Sequence, residues 1–143
     1  MIEAMSFNPD IYKHPPVQYI PLYLYNIEFD SNWRNNGQDR RPYVQVWQTE
    51  AEMRQGLSRL GVPFPPTAVD FSSRTTVLVL NGQVQDVKYR AYTVYLVGKE
   101  IPGAYHLFSL TRRYYYKDRL HFIFFNHRGD RLAWDNIVLS HKP

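Results

Sequence analysis

The 143-residue sequence contains no cysteine. This excludes disulfide bonds, a thiolate nucleophile and every zinc site that uses cysteine ligands. It does not decide the compartment, because a chain without cysteine is stable in either redox environment. No run approaches the roughly 18 apolar residues that span a bilayer, and the N-terminus lacks the basic and apolar segments of a secretory leader. We therefore expect a cytoplasmic protein without membrane contact, unless a leader has been removed.

Motifs of the common enzyme classes are missing as well. The sequence has no Gly-x-Gly-x-x-Gly segment, Walker loop, His-Glu-x-x-His or Gly-x-Ser-x-Gly, so nucleotide, zinc-protease and serine-hydrolase sites lack motif support. His106 and His121 lie on the opposing arms of the stretch 104–125 and could approach each other across strands. No third metal ligand is evident, and a structural or solvent-facing role for the pair is favoured. The sequence thus predicts no catalytic residue, no metal and no cofactor. A hydrolase that uses His, Asp and Tyr in a sheet cleft is a third function, without a definable centre.

Aromatic residues and positive charge are what the chain has in excess. Tyr, Phe and Trp make up 16% of the sequence, and these residue types are enriched in β-strands. The net charge of +4 is unevenly spread: residues 1–73 carry six Lys or Arg against eight Asp or Glu, whereas residues 74–143 carry eleven against five. This asymmetry favours an anionic partner for the C-terminal half. The alternative is that these charges only solvate polar sheet faces.

Residues 49–60 are predicted to form the one clear helix. Thr49 and Glu52 have the spacing of a capping box, in which each side chain accepts a hydrogen bond from the other's backbone. Gly61 suits the left-handed position that ends a helix. Three apolar residues at helical spacing form a stripe that faces a sheet: Met53, Leu57 and Leu60.

Most of the remaining chain is predicted to form strands joined by short turns. Residues 77–80 are apolar on both faces, which indicates a central strand that is buried on both sides. Asn81-Gly82 is a strong signal for a two-residue turn, and residues 101–103 are predicted to turn the chain again. The predicted strands cover residues 17–28, 43–48, 75–80, 83–99, two arms within 104–125, and 131–140.

These elements predict a mainly β (α+β) fold. Successive strands form an antiparallel meander that curls into a barrel or a sandwich, and the helix at about 49–60 covers one opening. Residues 1–16 contain three prolines and no periodicity, so we expect an irregular N-terminal arm. No linker divides the rest, and residues 17–143 are predicted to form a single β-rich domain.

The richest stretch, residues 104–125, holds eight aromatic residues and four Lys or Arg. Two alternating runs flank the polar Lys117-Asp118, a pattern that predicts a β-hairpin. Its base is predicted to be core: Leu107, Leu110, Leu120, Phe122 and Phe124. Its tip and the tryptophan of the loop at 30–42 are the candidate binding residues: Arg112, Arg113, Tyr114, Tyr115, Tyr116, Lys117, Arg119 and Trp33.

Two functions are consistent with this hairpin tip. Tyrosine and arginine are typical of the residues that dominate protein-binding surfaces, which favours a non-enzymatic interaction module that binds a protein partner. The same residue types bind single-stranded nucleic acid through stacking and phosphate contact, which is the alternative. A purely structural explanation, in which the tyrosines pack across strands beneath arginine stems and Trp33 folds over the core, also accounts for the pattern. Arg128-Gly129-Asp130 spells an integrin-type tripeptide, but turn chemistry explains it.

Residues 44–82 resemble the C-terminal domain of bacterial protease-complex subunits, the PrcB-like family. The shared features are a strand, a capped helix, a proline-containing spacer, the segment Val69-Asp70-Phe71-Ser72 and an apolar strand that ends at Gly82. The resemblance implies a small, β-rich, non-catalytic domain. It also implies a role in assembling or stabilising a partner protease.

Overall fold

The structure is a computed structural model that describes residues 19–21, 41–66, 68–90, 92–112 and 118–139. Its elements confirm a mainly β fold with one helix. The predicted N-terminal arm, the loop that contains Trp33 and the residues 113–117 lie outside the described residues. The elements are β1 (Tyr19–Pro21), β2 (Tyr43–Trp47), α1 (Glu50–Leu60), β3 (Arg74–Arg90), β4 (Thr93–Thr111), β5 (Arg119–Asn126) and β6 (Arg131–Val138).

β3 and β4 are long strands that pair with each other twice, on either side of a kink. Residues 74–80 pair antiparallel with 105–111, and residues 82–90 pair antiparallel with 93–100. Residues 101–104 lie opposite Asn81 at the kink, where the pairing shifts register. The strand predicted over 83–99 is therefore wrong, because the chain reverses between Arg90 and Thr93.

The predicted turn at Asn81-Gly82 is a bend inside β3 rather than a chain reversal. Asn81 has a φ of 60° and Gly103, across the kink, has a φ of 88°, both in the region that turns also use. The Asn81 side chain holds the bend, since its Nδ2 donates to Arg41 O at 2.9 Å and its Oδ1 accepts from Gly103 N at 2.8 Å. The turn predicted at 101–103 is likewise a bend within β4.

The kink folds the sheet into two halves that face each other as a sandwich. The first half contains β2, the start of β3, the end of β4 and β1, and the second contains the end of β3, the start of β4, β5 and β6. Apolar side chains from both halves form one core. The central members are Val77, Val79, Phe108, Leu110, Val87, Val94, Leu96, Leu120, Phe122 and Phe124.

The ends of the strand path, β2 and β6, are joined by side chains. Val46 N donates to Asp135 Oδ2, and Gln48 Nε2 donates to Val138 O, both at 2.9 Å. Burial raises the pKa of the Asp135 carboxyl, against the opposing effect of the Val46 hydrogen bond. These bonds satisfy edge groups that would otherwise be unpaired.

The hairpin predicted over residues 104–125 is wrong, because β4 and β5 pair in parallel. Thr93 lies opposite His121, and Gly98 lies opposite Asn126. The end of β4 pairs instead with β3 and β1. Parallel strands need a crossover of a dozen or more residues, and Gly98 and His121 are far enough apart in the sequence to allow one. The predicted core residues of this stretch are nevertheless buried: Leu107, Leu110, Leu120, Phe122 and Phe124.

The apolar stripe of helix α1 faces the sheet, as predicted, and packs on the outer face of the first half. Thr49 Oγ1 accepts from Glu52 N at 3.1 Å, while Glu52 Oε1 accepts from Gln48 N at 2.9 Å, one residue earlier than the predicted capping box. Gly61 has the predicted left-handed φ of 74°. The apolar side of the helix packs on Trp47, Leu78, Leu80, Tyr105 and Leu107. Residues 77–80 are therefore covered on both faces, which confirms the doubly buried strand.

Candidate functional site

Only the two ends of the predicted binding tip, Arg112 and Arg119, lie among the described residues. Arg112 is 6% exposed, and its backbone N donates to Ser73 O at 2.8 Å, which extends the β3–β4 ladder by one residue. Alternation along the strand then places its side chain towards the core. Arg119 begins β5 and is exposed. Of the eight predicted binding residues, Arg119 alone is described in an exposed position, since Arg113, Tyr114, Tyr115, Tyr116, Lys117 and Trp33 lie outside the described residues.

A pocket of about 590 Å³ lies on the outer face of the second half, over β4, β5 and β6. It arises from alternation along β5: Leu120, Phe122 and Phe124 belong to the inner core, which leaves Arg119 and His121 on the opposite face. The described lining residues are Tyr92, Thr93, Tyr95, Arg119, Leu120, His121, Ile123, Phe125, Asn136, Ile137 and Val138.

The floor of the pocket is apolar and packed. The Tyr95 and Phe125 rings stack with centroids 5.8 Å apart and planes inclined by 15°. Ile123 pairs in register with Tyr95, and both Ile123 and Phe125 are buried. Tyr95 is the half-buried member of this floor, so an apolar group can contact it without a large rearrangement, as in most ligand pockets.

A row of polar residues crosses the pocket on three neighbouring strands. Thr93 of β4 lies opposite His121 of β5, and His121 lies opposite Asn136 of β6. Asn136 Oδ1 bonds to His121 Nδ1. Because a carbonyl oxygen only accepts hydrogen bonds, this bond uses a proton on Nδ1, and in that tautomer Nε2 is an acceptor. The row therefore presents a fixed hydrogen-bond acceptor to the pocket.

Arg119 is the one charged side chain among the described lining residues, and none of them is a carboxylate. On β3, Lys88 and Asp86 form an ion pair, with Nζ and Oδ2 3.8 Å apart. Lys88 lies opposite Tyr95 in the β3–β4 ladder and is buried. The described lining residues therefore suit a ligand group with negative charge.

Exposed aromatic residues flank the pocket. Tyr92 is 55% exposed and Trp134 is 49% exposed. Trp134 lies opposite Ile123 in the β5–β6 ladder, and the Arg131 guanidinium stands 4.2 Å from the centre of its ring. Large exposed aromatics beside a pocket are typical of protein-binding surfaces.

His106 and His121 do not lie opposite each other, since His106 pairs in register with Val79 and His121 with Thr93 and Asn136. His106 is buried in the inner core, where its Nδ1 accepts from Val84 N at 3.0 Å. Burial lowers the pKa of His106 to about 4, so the ring is neutral and structural. The described residues hold no group of three or more His, Asp or Glu that could bind a metal ion, and none of their helices is long and apolar enough to cross a membrane.

Turn chemistry accounts for the Arg128-Gly129-Asp130 tripeptide. Asn126 Oδ1 accepts from the backbone N of both Arg128 and Asp130 at 2.9 Å. Gly129 takes a φ of 91°, and the Arg128 guanidinium pairs with Asp130 at 3.2 Å. The tripeptide thus closes the β5–β6 turn, with its two charges paired to each other.

Sequence reasoning missed most of the pocket. The alternation of Arg119, His121, Ile123 and Phe125 on one face was present in the sequence, and it indicates an outward face with mixed polar and apolar character. The alignment of that face with Thr93 and Asn136 depends on the parallel register of β4 and β5, for which no local signal exists.

No protein family, no curated protein and no solved structure matches the chain. The resemblance to PrcB-like domains therefore stays a prediction.

Proposed function

We propose that the protein is a non-enzymatic interaction module that binds a protein partner on the outer face of β4, β5 and β6. The observation that carries the proposal is the pocket, which combines an apolar floor, one cation and an oriented hydrogen-bond acceptor. Hot spots in protein interfaces combine the same features, namely aromatic and arginine side chains around a pocket that an anchor residue fills. The resemblance of residues 44–82 to subunits of protease complexes supports the same function.

A binding role fits the polar row better than catalysis. A nucleophile–base–orienter arrangement requires a hydroxyl or thiol within hydrogen-bond reach of the base. Asn136 occupies Nδ1 of His121, and none of the described side chains bonds to Nε2. Thr93 is its neighbour in register but is buried. We therefore assign His121 the role of a ligand acceptor.

A protein partner also fits better than single-stranded nucleic acid. Sites for single strands follow the backbone with a groove of several cations. Here Arg119 lines the pocket, Arg131 rests on Trp134 beside it, and Lys88 is buried with Asp86 nearby. One cation among the described lining residues suits one carboxylate of a protein segment better than a chain of phosphates.

The test is selection from a displayed peptide library on the intact protein. We expect enriched peptides to bind the wild type and to lose binding to Arg119→Glu and Tyr92→Ala. Both substituted side chains are exposed, so folding should be retained. Arg128→Glu is the matched control, because Arg128 is exposed in the β5–β6 turn and does not line the pocket.

Two results would overturn this proposal. One is a library from which no peptide is enriched, or from which every enriched peptide binds Arg119→Glu as tightly as the wild type. The other is tight binding of a single-stranded oligonucleotide that depends on Arg119 and weakens steeply as salt is raised, which is the signature of counterion release from phosphates. The second result would assign the surface to nucleic acid.

A further inference from the structure

Three side chains of different chemistry follow one another on the outer face of β5. Arg119 is a cation, His121 presents an acceptor, and Ile123 belongs to the apolar floor. Successive outward residues of a strand lie about 6.6 Å apart, and the long Arg119 side chain can close much of that gap. A ligand for this face needs an anion, a hydrogen-bond donor and an apolar group close together.

The hydrogen-bond donor is required by the state of His121. Its Nδ1 is bonded to Asn136 Oδ1, and in the tautomer that carries its proton on Nδ1 the other nitrogen, Nε2, accepts a hydrogen bond. A ligand group in contact with Nε2 must therefore carry an N–H or an O–H. Asn136 holds this orientation from the neighbouring strand β6, with which His121 is in register.

An anion is indicated by the charge that the described lining residues present to the pocket. Arg119 is its one charged lining residue among those described, and a guanidinium matches the planar geometry of a carboxylate. The Lys88–Asp86 pair on β3 lies beyond Tyr95 and compensates itself. A monovalent carboxylate balances Arg119, whereas a phosphate would bring more negative charge than this face offsets.

On the basis of the proposed function, we propose that the pocket binds the C-terminal residue of the partner chain, with an apolar side chain. In such a residue the carboxylate, the amide N–H and the side chain all branch from one Cα atom. The carboxylate then pairs with Arg119, the amide N–H donates to His121 Nε2, and the side chain rests on Tyr95, Ile123 and Phe125. Capture of a free C-terminus is a recurring mode of peptide recognition.

An internal Asp or Glu satisfies this face less well. Its carboxylate extends from the same Cα as its amide N–H, but the apolar side chain then belongs to a different residue. A small N-acyl amino acid has the right three groups but lacks the preceding residues, which would reach the exposed aromatics Tyr92 and Trp134. The full C-terminal segment of a protein is therefore the favoured occupant.

The experiment titrates the whole protein with matched peptides and follows its amide NMR signals. The probes are two short acetylated glycine peptides that end in phenylalanine or leucine, each prepared as the free acid and as the C-terminal amide. We expect the free acids to shift signals of residues 92–95, 119–125 and 134–138. The amides should bind about 10-fold to 100-fold more weakly, as the loss of one charge-assisted hydrogen bond implies.

Two variants separate the contribution of the carboxylate from that of the amide N–H. Arg119→Gln should weaken the free acids to the level of the amides, while the amides bind it as they bind the wild type. His121→Phe should weaken acid and amide by the same factor, because it removes the acceptor for a group that both peptides carry. Arg128→Gln is the control and should leave every affinity unchanged.

Several outcomes would overturn the inference. Equal binding of the free acid and the amide at this pocket would show that the carboxylate does not bind there. The proposed function would still stand. N-acetyl-phenylalanine binding as tightly as the peptide would assign the pocket to a small acid. Absence of binding by both free acids would exclude C-terminal capture, and the peptide-library selection would then decide the proposed function separately.

Discussion

The two faces of β5 differ in what they do for the molecule. Leu120, Phe122 and Phe124 point inward and are at most 1% exposed, where they join the core between the two halves of the sheet. Arg119 and His121 alternate with them and line an open pocket. One strand thus carries a sealed apolar face and a face that combines a cation, an acceptor and an apolar floor. Substitutions of inward residues of β5 should therefore change stability, whereas substitutions of its outward residues should change binding.

The inner face should give the largest effect. Phe124→Ala removes a fully buried ring that lies against Gly82 at the kink, where an added Cβ would be 2.7 Å from the ring. We expect the free energy of unfolding to fall by about 3–5 kcal/mol, because a cavity is left between the two halves. Chemical denaturation measures it. An outer-face control, Tyr92→Ala, should change it by less than about 0.5 kcal/mol, and equal effects at both positions would contradict the comparison.

His106 should make the inner face sensitive to acid. Its pKa is about 4 in the folded chain and 6.5 in its unperturbed state, so between these values the unfolded chain binds a proton that the folded chain does not. The stability that depends on neutral His106 is complete above about pH 6.5 and is lost as the pH falls towards 4. We expect a loss of about 3 kcal/mol over this range, at roughly 1.4 kcal/mol per pH unit.

The check is denaturation of the wild type and His106→Leu at several pH values. The variant should be less stable at pH 7, because Val84 N loses its acceptor and an unpaired buried N–H costs about 1–3 kcal/mol. The difference between the two proteins should shrink as the pH falls. His127→Gln, in the exposed turn, is the control. A difference independent of pH would show that His106 does not titrate as described.

Arg112, which follows the end of β4, is a charged residue that is buried towards the core. Nε and both terminal guanidinium nitrogens are buried without a hydrogen-bond partner among the described residues. Replacing buried charge with an apolar side chain of similar size is often stabilising. We expect Arg112→Met to raise the free energy of unfolding by about 1–4 kcal/mol, measured by denaturation. Arg119→Met, on the outer face, is the control and should change little. A loss of stability in Arg112→Met would mean that the guanidinium is compensated in the folded protein.

The outer face should give the smallest change in stability. Asn136→Leu removes the acceptor for His121 Nδ1, but both residues lie at the surface of the pocket. We expect a change of less than about 1 kcal/mol, close to the net value of one hydrogen bond. Peptide binding should nevertheless weaken, since the ring is no longer held in one tautomer. The thermal unfolding midpoint measures the change in stability, and an affinity titration measures the change in binding. Unchanged affinity would show that Asn136 does not orient His121 for binding.

Local patterns predicted the parts of the fold that depend on local physics. The capping spacing of Thr49 and the left-handed position of Gly61 defined helix α1, and the apolar run at 77–80 identified a strand covered on both sides. The same reasoning failed at Asn81-Gly82, where a strong turn signal produces a bend. The residue types set the backbone angles, but the partner strand decides whether the chain reverses there or continues.

The candidate site could be predicted only in part for the same reason. The sequence pointed to Arg119 through its excess of aromatic and basic residues, and it assigned that excess to a hairpin that does not form. Thr93 and Asn136 are 28 residues before and 15 residues after His121. They meet it because β4 and β5 are parallel while β5 and β6 are antiparallel, and that non-local pairing leaves no trace in local periodicity.

The most direct test of the binding function is where a selected peptide touches the protein. A titration followed by amide NMR signals locates that contact without any substitution. If the pocket is the binding site, the largest changes in the amide signals will fall on residues 92–95, 119–125 and 134–138. Changes confined to helix α1 or to the turn at 126–130, with the pocket signals unmoved, would contradict it.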